Sequence, residues 1–281
     1  MSTTKTIVSQ LALGIVTLAM FSCPFTQQNA NAQLKTVGKR WPADKLESAD
    51  ALNHEPFNKL LQKYVNTDGE VNYGAWKQSA EDRASLQSYL ANLSCVNTRA
   101  PAAREANLAF WINAYNAVTI EGILAVYPTS SIRNHTKKIG YSIWTDLNLL
   151  VGDTQINLED IEHKVLRKMN EPRIHFAIVC ASIGCPRLLN QAYTAADLEK
   201  QLAINTKDFF SRSQNLNYNA SKNKIEMSAI MKWFGTDFGP DTATQLAKVG
   251  PYLPEQVQQV VRQGGYSVGY LDYDWNLNVQ K

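Results

Sequence analysis

The sequence predicts one α+β domain in which helices outnumber strands. Three observations carry this prediction: segments with helical hydrophobic spacing recur along the chain, extended apolar runs are short and scattered, and no internal repeat occurs. Hydrophobic residues make up 44% of the 281 residues and charged residues 19%, which favours a folded chain over a disordered one. We therefore expect a mostly helical domain around a small mixed or antiparallel sheet.

The first 32 residues predict a secretory signal peptide. Lys5 precedes the uncharged apolar block Leu11 to Phe21, and Ala30-Asn31-Ala32 forms a small-x-small cleavage site before Gln33. We expect export to the periplasm or the extracellular space, with lipoprotein acylation of Cys23 as the less favoured alternative. The apolar block is too short to span a membrane, and no later segment suggests a transmembrane helix.

Beyond the signal peptide we expect an extended leader at 33–53 and one domain at 54–281. Hydrophobic spacing, turn residues and prolines predict helices at His54–Tyr64, Trp76–Leu93, Pro101–Val126, Leu158–Met169, Thr194–Ser213, Ser228–Phe238 and Pro254–Arg262. Extended segments are predicted at Ile174–Val179, Leu216–Tyr218, Lys224–Met227 and Tyr266–Asn278, and an irregular stretch at Ser131–Val151. The helix within 101–126 is apolar nearly all round, which predicts that it is buried.

The extended run Ile174–Val179 ends at a cysteine, which is the strongest chemical signal in the chain. Cys180 is followed by a loop of small residues and by Cys185. Loops that leave a buried strand often present reactive side chains, so we predict Cys180 as a nucleophile. The alternative is a buried thiol or a bond to Cys185. Only three cysteines remain after signal cleavage, the third being Cys95, so at least one lacks an internal partner.

A cysteine nucleophile needs a base, and two histidines are candidates. His163 lies in the predicted helix beside Glu162, which falls on the stripe that should be buried; Glu162 or Glu159 could orient the imidazole. His175 is the competing base, but in a regular strand His175 and Cys180 point to opposite faces. For His163 the alternative is an exposed side chain beside a glutamate that pairs with arginine.

Substrate-binding groups are predicted on the buried helix and near the cysteines. Asn113 and Asn116 lie in the apolar helix and must find hydrogen-bond partners. They would bind substrate or orient a base, or they would tie down neighbouring backbone. Ser182 belongs to the loop that could hold an oxyanion. Trp275 is predicted to line a recognition groove.

Metal, cofactor and nucleic-acid sites are not indicated by the sequence. His175, Cys180 and Cys185 have no CxxC or HExxH spacing, which is a weak zinc signal, and we predict no metal and no cofactor. The formal net charge is +3, and no Lys/Arg cluster stands out, so nucleic acid is not an expected partner. The oligomeric state is left open.

Four blocks of the sequence resemble the DUF547 family, a domain of unknown function. The blocks are Phe110 to Ala117, Leu158 to His163 with Leu166-Arg167, His175 to Cys180 continuing to Cys185-Pro186, and Tyr273 to Asn278. The resemblance runs from about Phe57 to Asn278. The typical family motif reads Cys-Gly-Ser, and Ala181 replaces that glycine here. The resemblance implies that Cys180 and His163 occupy motif positions, but it assigns them no role.

The leading functional hypothesis is an exported thiol-dependent hydrolase or transpeptidase. It would transfer the acyl group of a small peptide or a glutathione-like amide, and a papain- or transglutaminase-like arrangement fits the predicted fold class. The alternatives are a non-catalytic exported binding or scaffold domain and, less favoured, a redox or metal-binding protein that uses the same cysteines.

Overall fold

The computed structural model of the protein describes residues 36–136 and 141–281, and it confirms the α+β class. Its α-helices are α1 Glu55–Tyr64, α2 Tyr73–Gln78, α3 Ala80–Leu93, α4 Arg104–Val126, α5 Ile143–Asp146, α6 Leu158–Asp160, α7 Leu198–Ser211, α8 Ala229–Phe234, α9 Thr242–Val249 and α10 Glu255–Gln263. Its strands are β1 Thr36–Val37, β2 Asn148–Val151, β3 Thr154–Asn157, β4 Leu216–Asn219, β5 Lys224–Met227 and β6 Ser267–Tyr270. The predicted signal peptide and Cys23 lie outside the described residues.

The strands form two small sheets in the described part of the chain, with the orders β1-β2-β3 and β4-β5-β6. Each sheet combines one parallel pair with one antiparallel hairpin. In the second hairpin Tyr218 lies opposite Ile225, which confirms the predicted pairing of these two segments. Helix α5 and strand β2 lie inside the stretch Ser131–Val151 that was predicted to be irregular, so that prediction is wrong.

Helix α4 lies at the centre of the larger apolar core. Its residues from Ala106 to Leu124 are buried apart from Asn107, as the all-round apolar pattern predicts. By length and composition α4 could cross a membrane, but 89% of its most apolar stretch is buried inside the protein. Packing within the fold therefore accounts for the apolar character of this helix.

The predicted strand at Ile174–Val179 is wrong. Residues Pro172–Phe176 form a 3₁₀ helix, and an extended stretch without a β-ladder leads to Cys180. Side-chain amides take the place of a neighbouring strand: Asn116 binds the backbone on both sides of Ile178, and Asn205 donates to the Phe176 carbonyl at 3.0 Å. Because this segment is not a strand, the alternation of strand side chains does not separate His175 from Cys180.

The predicted helix Leu158–Met169 exists, but its geometry changes along its length. One turn of α-helix is followed by a π-helical segment at Ile161–Val165 and then by a 3₁₀ segment at Leu166–Met169. Single π-helical turns inside helices are frequent at functional sites. Here the π-helical segment carries both Glu162 and His163, and it changes which residues share a face.

The C-terminal part of the chain differs from the prediction in two places. Only Ser267–Tyr270 of the predicted terminal strand is a strand, whereas Leu277 and Val279 each make a single bridge, to Ser182 and to Val71. Helix α9 was not predicted, since its Thr-rich start gave no clear hydrophobic period.

Candidate active site

A narrow cleft with aromatic walls contains both cysteines of the predicted site. The cleft has a volume of about 180 Å³. Its lining residues are Tyr115, Trp144, Glu162, His175, Ile178, Cys180, Cys185, Pro186, Ile230, Trp233, Phe234, Tyr273 and Trp275. The fold therefore brings Cys180, Glu162, His175 and Trp275 of the predicted set to one place.

The cysteine loop is fixed by the C-terminal segment. Backbone N–H groups of Ile183 and Gly184 donate to the carbonyls of Asn276 and Asp274, both at 2.8 Å. A Cβ atom at Gly184 would lie 2.9 Å from the Tyr273 ring, so glycine permits this close approach. The contact places the Tyr273 hydroxyl above the loop.

The sulfur atoms of Cys180 and Cys185 lie 2.7 Å apart, and both thiols are free. The backbone N–H of Cys180 donates to the Cys185 sulfur at 3.0 Å. The Tyr273 hydroxyl lies 3.2 Å from the Cys180 sulfur and 3.0 Å from the Cys185 sulfur, and Ser182 Oγ lies 2.8 Å from the same hydroxyl. Ser182 is thus a buried member of the thiol network and is not among the residues that line the cleft.

The hydrogen-bond network shifts the pKa values of the two thiols in opposite directions. The pKa of Cys180 is held well above its usual value because its thiol bonds to Cys185 and is buried. Burial also acts to raise the pKa of Cys185, but hydrogen bonds from Cys180, Ser182 and Tyr273 outweigh it and lower the pKa to about 6. The two thiols therefore titrate as a pair, and their hydrogen bonds favour loss of the first proton from Cys185.

Glu162 supplies a second ionisable group to the cleft. Burial raises its pKa to about 7, against the opposing influence of Arg167. Its hydrogen-bond partner is the Tyr115 hydroxyl, which donates to Oε2 at 3.5 Å. A carboxyl group with a pKa near neutrality can donate or accept a proton during a reaction.

His175 lines the cleft in a fixed orientation. Its Nε2 lies 2.8 Å from Asp237 Oδ2, and its ring stacks on Phe234 at a centroid distance of 4.2 Å. Burial lowers the pKa of His175 to about 4, although the Asp237 hydrogen bond acts to raise it. The imidazole is therefore neutral at physiological pH.

His163 lies outside the cleft. It is exposed, and Arg167 donates to its Nδ1 at 3.0 Å. It lines an adjoining depression that shares Trp144 and Glu162 with the cleft and that also contains Glu159. Among the described residues, no histidine nitrogen lies within hydrogen-bonding distance of either sulfur of the pair.

Asn113 and Asn116 bind backbone and are not among the residues that line the cleft. Asn113 exchanges two hydrogen bonds with the backbone of Tyr193, at 2.7 and 2.9 Å. Asn116 donates to the Ala177 carbonyl at 3.0 Å and accepts from the Val179 N–H at 2.9 Å. Both side chains hold backbone in place, which was the alternative to substrate binding.

Three residues of the site were not predicted from the sequence. Tyr273 contacts both sulfurs, Asp237 orients His175, and Tyr115 donates to Glu162. Tyr115 and Tyr273 lie in sequence blocks that resemble the DUF547 family, and this resemblance could have marked them as candidates. No such signal marked Asp237, because nothing in its local sequence indicates that it contacts a histidine 62 positions away.

Metal ligation finds no support in the described part of the chain. No group of three or more His, Cys, Asp or Glu side chains in residues 36–136 and 141–281 is arranged to hold a metal ion.

Comparison with known proteins identifies part of the chain. Residues 100–210 match the model of a family described as a protein of unknown function, DUF547. This region belongs to the DUF547 family. Searches of curated proteins and of solved structures found no match.

The DUF547 region supplies the reactive groups of the cleft but only part of its walls. Glu162, His175, Cys180 and Cys185 lie inside the matched residues, whereas Trp233, Tyr273 and Trp275 lie beyond residue 210. The sequence resemblance extended to about Asn278, farther than the DUF547 match. The cleft thus combines DUF547 side chains with aromatic side chains from the C-terminal part of the chain.

Proposed function

We propose that the protein is a thiol-dependent acyl-transfer enzyme, a hydrolase or transpeptidase that acts on a small peptide or a glutathione-like amide. The observation that carries this proposal is the presence of a thiol pair and of Glu162 in one small cleft. Acyl transfer from an amide requires a nucleophile and a proton donor for the leaving amine. The cleft offers both, with Glu162 having a pKa of about 7.

In the proposed reaction Cys180 attacks the amide and Cys185 takes its proton. Cys180 is the less buried residue of the pair, and the hydrogen bonds of Cys185, whose sulfur lies 2.7 Å away, favour its thiolate form. As the C–S bond forms, the Cys180 proton passes to Cys185; as the C–N bond breaks, the leaving amine takes the proton of Glu162. Glu162 then accepts a proton from the attacking water or amine, the acyl group leaves Cys180, and Cys185 returns the proton to Cys180.

This assignment replaces the histidine base of the sequence hypothesis by Glu162 and Cys185. His163 is exposed and accepts a hydrogen bond from Arg167, and His175 donates its Nε2–H to the Asp237 carboxylate. We assign His175 a positioning role, since its ring packs on Phe234 in the wall of the cleft.

Intact-mass spectrometry after incubation with p-nitrophenyl acetate tests the proposal. We expect one acetyl adduct on the protein near neutral pH and none on Cys180→Ala. Cys95→Ala is the matched control and should keep the adduct, because burial raises the pKa of Cys95 to about 12. An adduct that persists in Cys180→Ala, or its absence from the unaltered protein, would contradict the proposal; thermal melting confirms that each variant is folded.

The sulfur contact favours a second candidate, thiol–disulfide exchange. Two thiols whose sulfurs already touch can close a disulfide with little movement of the chain. The predicted signal peptide would send the protein to an oxidising compartment, where such a bond persists. In glutathione redox buffers this candidate predicts that the Cys180–Cys185 pair reversibly loses two hydrogens and that the reduced protein reduces a disulfide substrate. The acyl-transfer proposal instead predicts acetyl adducts, and only while the pair is reduced.

A further inference from the structure

The cleft has acidic groups and aromatic walls but no cationic side chain. Among the described residues that line it, none is lysine or arginine. Arg167, the cation that influences Glu162 most, is bound to Asp237 through two hydrogen bonds of 2.7 Å. The Glu162 carboxyl group and the Cys185 sulfur therefore lie in a cleft whose described lining includes no lysine or arginine. Two cations of the described chain lie against the aromatic wall: the Arg167 guanidinium is 5.5 Å from the Phe234 ring centroid, and that of Arg133 is 5.1 Å from the Trp275 ring centroid.

Aromatic rings dominate the wall beside these charges. Trp233, Tyr273 and Trp275 pack against one another with centroid distances of 4.5 to 5.8 Å. Trp144 and Phe234 also line the cleft. Trp233 is 46% exposed, which is unusual for so large an apolar side chain, and it leaves a ring surface available at the mouth.

We propose that the cleft binds a small organic cation, with an ammonium headgroup held against the aromatic wall and beside the Glu162 carboxylate. Aromatic faces attract desolvated ammonium groups, and quaternary ammonium ligands are recognised in this way. A volume of about 180 Å³ is below the ~300–1,000 Å³ of pockets for drug-sized ligands, so the cleft holds a headgroup, not a long chain.

A cation site beside the thiol pair would restrict which substrates the proposed enzyme accepts. If the proposed acyl transfer holds, on which this step rests, the substrate is an amide that carries an amino or ammonium group close to the scissile bond. A cation beside Glu162 favours the ionised carboxylate, so Glu162 would bind such a substrate as the carboxylate and take up a proton from solvent before it supplies one to the leaving amine. The affinity for a cation is therefore linked to the protonation of Glu162.

Binding of choline, compared with its neutral isostere 3,3-dimethylbutan-1-ol, tests the inference. The readout is the tryptophan fluorescence of the protein at constant ionic strength, since Trp144, Trp233 and Trp275 line the cleft. We expect a saturable change with choline and an affinity at least tenfold higher than for the alcohol. Equal affinities, or no saturable change with choline, would overturn the proposal.

Two substitutions assign the binding to this cleft. Glu162→Gln should weaken choline binding about tenfold and Trp233→Leu should weaken it by a similar factor. The matched control is Trp41→Leu, because the Trp41 indole bonds to the Ala91 carbonyl and takes no part in the cleft. Unchanged choline affinity in a folded Glu162→Gln protein would overturn the role of the carboxylate and with it the proposal.

The pH dependence of binding gives a further readout. The groups that influence Glu162 are Arg167, Cys185, Tyr115 and Asp237. Because burial raises the pKa of Glu162 to about 7, choline affinity should rise between about pH 5.5 and about pH 8.5 in the unaltered protein, and should rise less in Glu162→Gln. A choline affinity that falls as the pH rises would contradict the inference.

The same titration separates this inference from the proposed enzyme. Cys180→Ala removes the proposed nucleophile but leaves Glu162 and the aromatic wall in place, so it should still bind choline. Choline binding without any acetyl adduct on the unaltered protein would support the cation site and refute acyl transfer. An acetyl adduct on Cys180 without preference for choline over the alcohol would do the reverse.

Discussion

Asn116 binds the backbone N–H of Val179 at 2.9 Å, one residue before the predicted nucleophile. Its amide nitrogen also donates to the Ala177 carbonyl at 3.0 Å, so one buried side chain satisfies both neighbours of Ile178. This contact links the central helix α4 to the segment that presents Cys180. An amide of the core therefore holds the backbone that precedes the thiol, while the C-terminal segment holds the loop that follows it.

Asn116→Ala should destabilise the protein by about 2–4 kcal/mol, because two buried backbone groups lose their partners. It should also change the rate at which iodoacetamide alkylates the thiol pair, since Val179 is no longer held. Urea unfolding and alkylation kinetics measure the two effects. Asn113→Ala is the comparison: it removes an equivalent pair of bonds to Tyr193, and should lower stability to a similar extent with little effect on alkylation. Equal effects of the two variants on alkylation would refute the role of Asn116 at Cys180.

Glu162 should make the protein less stable as the pH rises from about 4.5 to about 7. Its pKa in the folded protein is about 7, above the ordinary value of 4.5, so over this range the unfolded chain has released a proton that the folded protein retains. Glu162→Gln removes this loss and should stabilise the protein by roughly 1–3 kcal/mol near pH 8 and by little near pH 4. Urea unfolding at several pH values measures the difference. Glu159→Gln, an exposed change on the same helix, is the control; an identical pH effect from both changes would contradict the prediction.

Alkylation of the thiol pair should begin at lower pH than that of a free thiol. The pKa of Cys185 is lowered to about 6 because hydrogen bonds outweigh its burial, and the Tyr273 hydroxyl is one of the groups responsible. The iodoacetamide rate of the protein should therefore already be substantial near pH 7. Tyr273→Phe should move the rate profile to higher pH, while Tyr270→Phe, an exposed tyrosine of β6, should leave it in place. A profile centred at the pKa of an ordinary thiol in the unaltered protein would disprove the proposed charge on the pair.

Position 181 should tolerate glycine and reject a β-branched side chain. Ala181 has φ of 59°, in the left-handed region, and is buried at 1% exposure. Ala181→Gly relieves the backbone but loses a buried methyl group, so stability should change by less than about 1 kcal/mol. Ala181→Val should cost more than about 2 kcal/mol, because branching at Cβ is poorly compatible with positive φ. Thermal or urea unfolding distinguishes the two, and a stable Val variant with unaltered alkylation kinetics would contradict the account.

Local patterns predicted the helices and the hairpin because hydrophobic spacing is a property of neighbouring residues. The all-round apolar pattern of α4 predicted its burial, and Tyr218 and Ile225 pair as expected. The segment before Cys180 was mistaken for a strand, since its apolar run is equally compatible with backbone that is bound by side-chain amides. No local pattern shows that Asn116 and Asn205 bind the backbone there.

The site was predicted only in part, because local sequence patterns reveal single residues but not contacts between distant segments. Cys180, Glu162 and His175 were found because each stands out in its own segment, and the fold brings all three to the cleft. The pairing of His175 with Asp237 and of Tyr273 with the sulfurs depends on contacts between distant segments. The π-helical segment at Ile161–Val165 was not predicted either, because the sequence indicated a regular helix there.

The hydrogen bonds between the cysteine loop and residues 273–276 also affect the order in which parts of the fold form. Cys180 and Tyr273 are separated by 93 positions in the chain, and the Tyr73–Asn278 hydrogen bond spans 205. Contacts of such long range close large loops and form only when distant parts of the chain have been brought together. The Tyr273 hydroxyl is one of the groups that lower the pKa of Cys185, and this contribution is absent until residue 273 has reached the cysteine loop. The pKa values of the thiol pair are thus a property of the completed fold, which a partly folded chain does not share.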